Sequence, residues 1–159
     1  MNESHPRPLI IGWREVVALP DWGIGRIRAK VDTGARSSAI DVAEVHELPD
    51  KHVRFEIRLS RTNPDRRVVV TAPIVRHTTV RSSLGRPHDR IIVATIIRIG
   101  PVETHVELGL VCRKNMLCRM LLGRRALDAS FLVDPARKYV LRRRPTPETG
   151  RDVGSRIRS

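Results

Sequence analysis

Hydrophobic and polar residues alternate with a period of two along most of this chain. Between Arg26 and Val31 every second residue is apolar, and the residues between them are basic. The segment 53–59 repeats the pattern, with Val, Phe, Ile and Leu at alternate positions. This spacing is typical of half-buried β-strands. Because such segments recur at roughly ten-residue intervals between Gly and Pro turns, we predict an all-β fold, either closed or a sandwich.

Other segments extend this prediction and add one helix. Residues 9–20 predict a strand that a proline ends. Residues 78–100 predict a hairpin, because two β-rich arms flank a Ser-Ser-Leu-Gly-Arg-Pro turn. Residues 38–48 fit either a strand or a short helix. Only residues 124–129, after Gly123, favour a helix.

The length of 159 residues fits a single domain. We expect this β domain to span residues 9–142, between a flexible N-terminus (1–8) and a basic, disordered tail (143–159). The N-terminus lacks the apolar segment of a secretory leader, and the apolar runs are too short to cross a membrane. Cys112 and Cys118 provide no disulfide framework. The expected location is therefore a reducing cytoplasm, without membrane partners.

The formal net charge of +13 predicts attraction to polyanions such as RNA, DNA, the ribosome or acidic peptides. A generally basic proteome, in which Arg replaces Lys on solvated surfaces, is an equally simple explanation of the charge. Aromatic residues make up only 3% of the chain. Modules that bind single-stranded nucleic acid often stack bases on aromatic rings, so this low fraction weakens the nucleic-acid interpretation.

Most familiar catalytic motifs are missing from the sequence. There is no HExxH segment, no zinc-knuckle cysteine spacing, no GxSxG elbow and no Gly-rich phosphate loop. The six histidines are scattered, and although His46 and His52 could meet across a turn, surface positions are the simpler interpretation. The sequence therefore predicts neither a metal site nor a cofactor.

Asp32-Thr33-Gly34 directly follows the predicted strand 26–31. An Asp in a turn is ordinarily a capping residue, because its side chain accepts a hydrogen bond from the backbone two residues on. The alternative is a catalytic carboxylate. The setting favours the alternative, since an apolar strand precedes the motif, small residues follow it, and Leu121-Leu122-Gly123 occurs much later in the chain.

Five segments, in order, resemble a known family. They are GWREVVALP, AKVDTGARSSAID, VRSSLGRPHDR, NMLCRMLLGRRAL and FLVDP, and the likeness covers roughly residues 10–141. The chain resembles the bacterial family labelled ATP-dependent zinc protease, which is grouped with retropepsin-like aspartic peptidases. The sequence has neither the zinc signature nor the nucleotide loop that this label would require. The resemblance implies a closed acid-protease (retropepsin-like) barrel, with one short helix after the Leu-Leu-Gly-Arg segment.

The resemblance also implies roles for individual residues. Asp32 would be the catalytic carboxylate, with Thr33 and Gly34 as its scaffold. The supporting floor would consist of Leu121, Leu122, Gly123 and Arg124. We further predict that the substrate-binding residues are Ala35, Arg36, Arg81, Ser82, Ser83 and Gly85.

A single Asp-Thr-Gly motif has a consequence for assembly. Peptide hydrolysis without a metal or a covalent intermediate needs one carboxylate to activate water and one protonated carboxyl to polarise the carbonyl. Two carboxyls about 3 Å apart cannot both ionise, so one of them keeps its proton at mild pH. The chain has no second Asp-Thr-Gly or Asp-Ser-Gly motif. A catalytic Asp32 therefore requires a C2 homodimer with the active site on the two-fold axis.

Two features depart from the retroviral members of the resembled group. Arg36 stands where those proteins usually carry an acidic residue, which partners the arginine equivalent to Arg124. Arg36 would then either face an acidic substrate or point to solvent. The Gly-tipped hairpin that covers the substrate could be residues 80–90, around Gly85, or residues 60–67. A plain surface turn is the simpler interpretation of both.

The leading hypothesis is therefore a dimeric, cytoplasmic aspartic peptidase. Members of the resembled family are often associated with ATP-grasp ligases that add glutamate tails, which suggests acidic or glutamate-rich peptides as substrates, for example on a ribosomal protein. One alternative is a non-enzymatic basic β-barrel that binds RNA or the ribosome, with Asp32 as a turn former. A zinc-dependent peptidase, as the label states, is the other.

Overall fold

Strands dominate the described part of the chain. The computed structural model describes residues 7–81, 85–113, 118–128 and 130–141. Most of the predicted flexible N-terminus and all of the predicted basic tail lie outside the described residues. The predicted domain limits therefore stay a prediction.

Twelve strands and one α-helix form within the described residues. The strands are β1 (Leu9–Gly12), β2 (Arg14–Leu19), β3 (Ile24–Val31), β4 (Ser38–Asp41), β5 (Ala43–Leu48), β6 (His52–Arg58), β7 (Arg67–Pro73), β8 (Arg76–Arg81), β9 (Pro87–Ile99), β10 (Val102–Val111), β11 (Met120–Leu122) and β12 (Phe131–Asp134). The helix α1 (Arg124–Leu127) is a shorter form of the predicted one, and 3₁₀ turns cover Pro20–Trp22 and Pro49–Lys51. Among the described residues, no helix has the length and apolarity needed to cross a membrane.

The all-β prediction is confirmed, with two local corrections. The predicted strand 9–20 is divided at Trp13, because the Trp13 N–H donates to the Arg137 carbonyl (2.9 Å) and β1 pairs with β12 instead. Residues 38–48 form two strands and no helix. β4 is buried at all four positions and has a neighbouring strand on each side, whereas β5 pairs with β6.

Seven strands pair in the order β10-β4-β11-β3-β2-β9-β8, and β9 also pairs with β10. Six of these strands therefore form a ring of pairings, and β8 extends it as the other arm of a hairpin with β9. The hairpin predicted for residues 78–100 is confirmed by the β8–β9 pairing. A three-stranded sheet, β5-β6-β7, and the β1–β12 pair lie outside the ring. The closed barrel that the family resemblance implies stays a prediction.

The ring consists of two halves with the same connectivity. In each half a hairpin, β2–β3 or β9–β10, is followed by a short strand, β4 or β11. Each short strand pairs in parallel with the hairpin of the other half, β4 with β10 and β11 with β3. The two short strands pair antiparallel with each other at the centre. As a result, β11 lies between β3 and β4, and the segment joining β3 to β4 must cross the end of β11.

The alternation predicted for β3 is confirmed. Ile27, Ala29 and Val31 are buried in the core, whereas the basic residues between them are exposed. The rest of the core is built almost entirely from aliphatic side chains, in keeping with the low aromatic content. Burying such side chains contributes about 1.5–3 kcal/mol each, so the core supplies the main force that holds β3 in place.

Glu15, on β2, is a buried carboxylate with only 1% of its surface exposed. Its Oε2 accepts hydrogen bonds from the Gly12 N–H (2.6 Å) and the Val140 N–H (3.1 Å), and its Oε1 accepts one from the Leu141 N–H (3.3 Å). Gly12 itself must lack a Cβ, because that atom would lie 2.5 Å from the Arg137 carbonyl oxygen. Glu15 therefore fastens the last described residues of the chain to the start of β2, the neighbour of β3.

We expect Glu15→Ala to lower the free energy of unfolding by about 1–3 kcal/mol, because it leaves buried N–H groups without an acceptor. Urea unfolding followed by circular dichroism measures this change. The control is Asp21→Ala, which removes an exposed carboxylate from the Pro20–Trp22 turn and should change stability by less than about 0.5 kcal/mol. Equal effects of the two substitutions would contradict the assigned role.

Candidate active site

The Asp32 turn lies where β3, β11 and β4 meet. The Asp32 N–H donates to the Leu122 carbonyl (2.9 Å), so the parallel β3–β11 pairing continues into the turn. Leu122 is fully buried and Leu121 is partly buried, as expected of a supporting floor. The position of Asp32 therefore depends on a strand that comes much later in the chain.

Asp32 is half-buried, and its carboxylate takes part in its own turn. Its Oδ1 accepts a hydrogen bond from the Gly34 N–H (3.0 Å), and its carbonyl accepts one from the Ala35 N–H (3.2 Å). No described residue donates a hydrogen bond to the other carboxylate oxygen, Oδ2. The capping role and the catalytic role are therefore compatible, because the turn uses one oxygen and leaves the second for a reactant.

Gly123 meets the backbone of the Asp32 turn from below. A Cβ at this position would lie 2.3 Å from the Ser37 carbonyl oxygen, so only glycine fits. The Gly123 N–H donates to the Ser38 hydroxyl (3.0 Å), and both residues are buried. The supporting position predicted for Gly123 thus corresponds to a close contact between two backbones.

Arg124 holds the turn from the side. Its backbone N–H donates to the Ala35 carbonyl (2.8 Å), and its guanidinium Nη1 donates to the Thr33 carbonyl (3.0 Å). The next residue repeats the pattern, since the Arg125 N–H donates to the Arg36 carbonyl (3.2 Å). Backbone carbonyls therefore take the place of the acidic partner that the sequence lacks.

Thr33, Gly34 and Arg36 form the exposed surface of the turn, and Ala35 is partly buried. Neither the Thr33 hydroxyl nor the Arg36 guanidinium forms a hydrogen bond or an ion pair with a described residue. These groups are placed where an approaching molecule could contact them. Substrate binding by Ala35 and Arg36 stays a prediction.

The predicted substrate contacts of the β8–β9 hairpin are only partly described. Arg81 is exposed at the end of β8, opposite Pro87, and Gly85 has a left-handed φ of 75°. Ser82 and Ser83 lie outside the described residues. The substrate role of this hairpin also stays a prediction.

The charged residues Arg76, Glu107 and Arg125 lie close together near helix α1. The Arg76 guanidinium Nη2 lies 2.7 Å from Glu107 Oε2, and the hydrogen bond from Arg76 holds the pKa of Glu107 below its usual value. The positive charge of Arg125 contributes in the same direction. Burial of Arg90 against Gly109, followed by repulsion from Arg113, lowers the pKa of the Arg90 guanidinium. The first effect comes mainly from a single ion pair, and the second comes mainly from burial of the guanidinium.

Metal-binding residues do not cluster in the described residues. No group of three or more His, Cys, Asp or Glu side chains is close enough to hold an ion there. Exposed Cys112 and buried Cys118 are both free thiols.

Sequence reasoning missed three contributors to the site. They are the Ser38 hydroxyl, the guanidinium of Arg124 as a donor to a carbonyl, and a buried ion pair between Asp41 and Arg119, whose Nη1 lies 2.7 Å from Asp41 Oδ2. Ser38 and Asp41 are the ends of a strand that is buried throughout. Because buried polar side chains need hydrogen-bond partners, a polar residue at each end of a buried strand indicates such contacts.

Comparison with known proteins places this chain in a family. A family model described as RimB-like, a retropepsin-like aspartic endopeptidase, matches residues 10–144. The crystal structure of the Legionella pneumophila protein Lpg0085, which is described as a protein of unknown function, superposes with a TM-score of 0.69. That likeness covers 84% of this chain and 98% of the other, with 26% sequence identity.

Curated relatives carry a different name. A protein of Shewanella pealeana and one of Desulfotalea psychrophila, each named probable alpha-L-glutamate ligase, are 34% and 33% identical over 137 residues. The alignments cover 83% of this chain, which spans only about 30% of the length of these relatives. The ligase name therefore describes proteins whose greater part has no counterpart here. The match over residues 10–144, together with the Asp32 turn held between β3, β11 and β4, shows that the chain belongs to the RimB-like family of retropepsin-like aspartic endopeptidases.

Proposed function

We propose that this chain is an aspartic peptidase that acts as a homodimer, with Asp32 contributed by each copy. The observation that carries the proposal is the Asp32 turn, which is held by hydrogen bonds from below and from the side yet leaves Oδ2 without a donor from the described residues. One chain supplies one such carboxylate. A second copy related by a two-fold axis would supply the other.

The chemistry requires the two Asp32 residues to share one proton. The ionised carboxylate takes a proton from water as the water oxygen attacks the peptide carbonyl carbon, and the protonated carboxyl donates its proton to the carbonyl oxygen. The resulting tetrahedral diol collapses when a carboxyl protonates the amide nitrogen and the C–N bond breaks. The other carboxylate takes the proton of the diol hydroxyl, and the pair returns to a single shared proton.

We infer that the substrates are acidic, glutamate-rich peptides. Arg36 is exposed beside the carboxylate, and no described residue neutralises it. The chain has a formal charge of +13, which attracts acidic polymers. The names of the curated relatives point to glutamate as well, although the ligation they state belongs to those longer proteins.

A basic binding module without activity is the second candidate. The net charge of the chain favours it, and in that case Asp32 serves only as the cap of its own turn through Oδ1. The zinc-dependent alternative is tested by adding a chelator to an active preparation. Activity that survives Asp32→Asn but is lost with the chelator would favour the metal.

We expect Asp32→Asn to lower kcat on a glutamate-rich peptide by at least about 10²–10⁴-fold, because it removes the group that exchanges protons with water and substrate. The Asn amide oxygen can still accept the hydrogen bond from Gly34, so the fold should persist. Peptide cleavage followed by mass spectrometry measures the loss. The control is Asp21→Asn, an exposed carboxylate in the Pro20–Trp22 turn, which should retain activity. Full activity of Asp32→Asn would overturn the proposal.

Mixing subunits tests whether both copies of Asp32 are needed. If wild-type and Asp32→Asn chains exchange freely at equal concentrations, about one quarter of the dimers carry two Asp32 residues. Activity per total protein should then fall to about a quarter of the wild-type value, whereas a site that needs one carboxylate retains about half or more. Sedimentation velocity of each protein provides the control for assembly. A strictly monomeric yet active enzyme would contradict the two-carboxylate mechanism.

Arg36→Gln tests the preference for acidic substrates. We expect kcat/KM on a glutamate-rich peptide to fall by about tenfold, since a charge-assisted contact contributes on the order of 1.5–3 kcal/mol. Cleavage of a neutral peptide of equal length should change by less than about twofold. Arg7→Gln, at an exposed arginine before β1, is the matched control. Equal cleavage of the acidic and neutral peptides by the wild type would contradict the substrate assignment.

A further inference from the structure

An arginine-rich cavity lies between β3 and the turn that follows β6. Its volume is about 610 Å³, within the range of small-ligand sites in proteins. The lining includes Arg26 and Arg28 of β3, Arg61 and Arg66 of the turn, and Arg119 beside β11. No acidic residue lines this cavity. We call this space, with the five arginines that line it, the arginine cavity.

Four of the five arginines are not neutralised. Arg119 is largely buried and pairs with Asp41. The side chains of Arg26, Arg28, Arg61 and Arg66, in contrast, form no hydrogen bond or ion pair with any described residue. Several of the exposed arginines elsewhere, such as Arg76, Arg98 and Arg137, do have carboxylate partners. Like charges gathered in a concave surface repel one another, so the cavity attracts an anion.

The turn that carries Arg61 and Arg66 is held by its own hydrogen bonds. The Asn63 N–H donates to the Ser60 hydroxyl (3.1 Å), and the Asp65 N–H donates to the Asn63 side-chain carbonyl (3.0 Å). The Leu59 N–H donates to the Arg66 carbonyl and closes the turn (2.8 Å). The two guanidinium groups are therefore attached to a fixed backbone, which reduces the entropy lost on binding.

The cavity is connected to the Asp32 turn by β3 and by the Asp41–Arg119 pair. Arg26, Arg28 and Lys30 are exposed on one face of β3, which ends directly before Asp32. Side chains on one face of a strand repeat at about 6.6–6.8 Å, the same repeat as in an extended peptide. Arg119 lines the cavity and ties β4, the strand after the Asp32 turn, to the start of β11.

We propose that the arginine cavity is a second binding site, which holds carboxylate side chains of an extended acidic peptide away from the bond that is cut. This inference rests on the proposed function for the identity of the substrate, but not for the existence of the site. Guanidinium groups bind carboxylates in a bidentate way. The Ser60 and Thr62 hydroxyls in the same lining hydrogen-bond each other (3.3 Å), which leaves one O–H of the two as a further donor. The separation of Arg26 from Asp32 along β3 is about 20 Å, so about six extended residues would connect the two sites.

Acidic peptide is favoured over nucleic acid by the composition of the cavity. No aromatic residue lines it, whereas proteins that bind single-stranded nucleic acid commonly stack bases on aromatic rings. A neighbouring cavity of about 480 Å³ shares Ser60, Arg61 and Arg119 and extends the concave surface. Its lining also includes Asp41, which pairs with Arg119, and Glu44, so an acidic side chain is favoured in the arginine cavity and not in this extension.

The test measures binding without turnover. The Asp32→Asn protein is titrated into fluorescein-labelled deca-glutamate, and Kd is taken from fluorescence anisotropy. Adding Arg61→Gln and Arg66→Gln should raise Kd by at least about tenfold, because two charge-assisted contacts are lost. The matched control adds Arg7→Gln and Arg54→Gln, two exposed arginines that do not line the cavity, and should raise Kd by less than about threefold.

A second pair, Arg26→Gln and Arg28→Gln, should weaken binding in the same way, and circular dichroism verifies that each variant is folded. Equal increases in Kd for the cavity and control variants would show that net charge alone determines binding, and would overturn the proposal. So would tighter, cavity-dependent binding of a ten-nucleotide oligothymidylate than of deca-glutamate. This test measures no cleavage, so its result is independent of whether Asp32 is catalytic. Binding in the cavity without catalysis by Asp32, and catalysis by Asp32 without binding in the cavity, would therefore be distinguished.

Discussion

The insertion of β11 between β3 and β4 is the constraint on which the rest of the site depends. It places the Leu122 carbonyl under the Asp32 N–H and brings Gly123 against the Ser37 carbonyl. Arg124, one residue on, is thereby placed beside the turn that it fastens. The turn is therefore assembled from two segments that are far apart in the chain. Its geometry cannot form until the second half of the fold is complete, which makes the site sensitive to the stability of the whole ring of strands.

The sequence predicted the local structure of this region well but not its pairing. Alternation identified β3 and the residues that it buries, because the period of two directly reflects the two faces of a strand. The parallel pairing of β3 with the three-residue β11 leaves no such periodic signal, since it joins residues from opposite halves of the chain. In the retroviral proteins an acidic residue partners the arginine equivalent to Arg124, and this chain has Arg36 at the acidic position. Only the fold shows that the Thr33 carbonyl accepts the hydrogen bond instead.

Net charge, likewise, could not indicate where the positive potential lies. Folding sorts the arginines into two groups according to which acidic side chains the strands bring near them. Arg98, for example, pairs with Glu103 across the β9–β10 hairpin, and Arg119 pairs with Asp41 at the centre of the ring. The arginines of β3 and of the turn after β6 have no such partner among the described residues. Part of the excess charge thus lies on one concave surface, where it can select a ligand as well as attract one.

Gly34 and Gly123 are constrained to different degrees within a single chain, and the difference bears on the proposed dimer. At Gly123, a Cβ would lie 2.3 Å from backbone, so the single chain fully explains the glycine. At Gly34, a Cβ would meet only Asp32 Oδ1, at 3.2 Å, and the backbone there does not have the positive φ that favours glycine. Within a single chain, the constraint on Gly34 is therefore one tight contact, with the carboxylate that the proposed mechanism uses. In the proposed dimer, a two-fold related turn approaching from the exposed side would add a second constraint, because any Cβ at Gly34 would then stand between the two carboxylates.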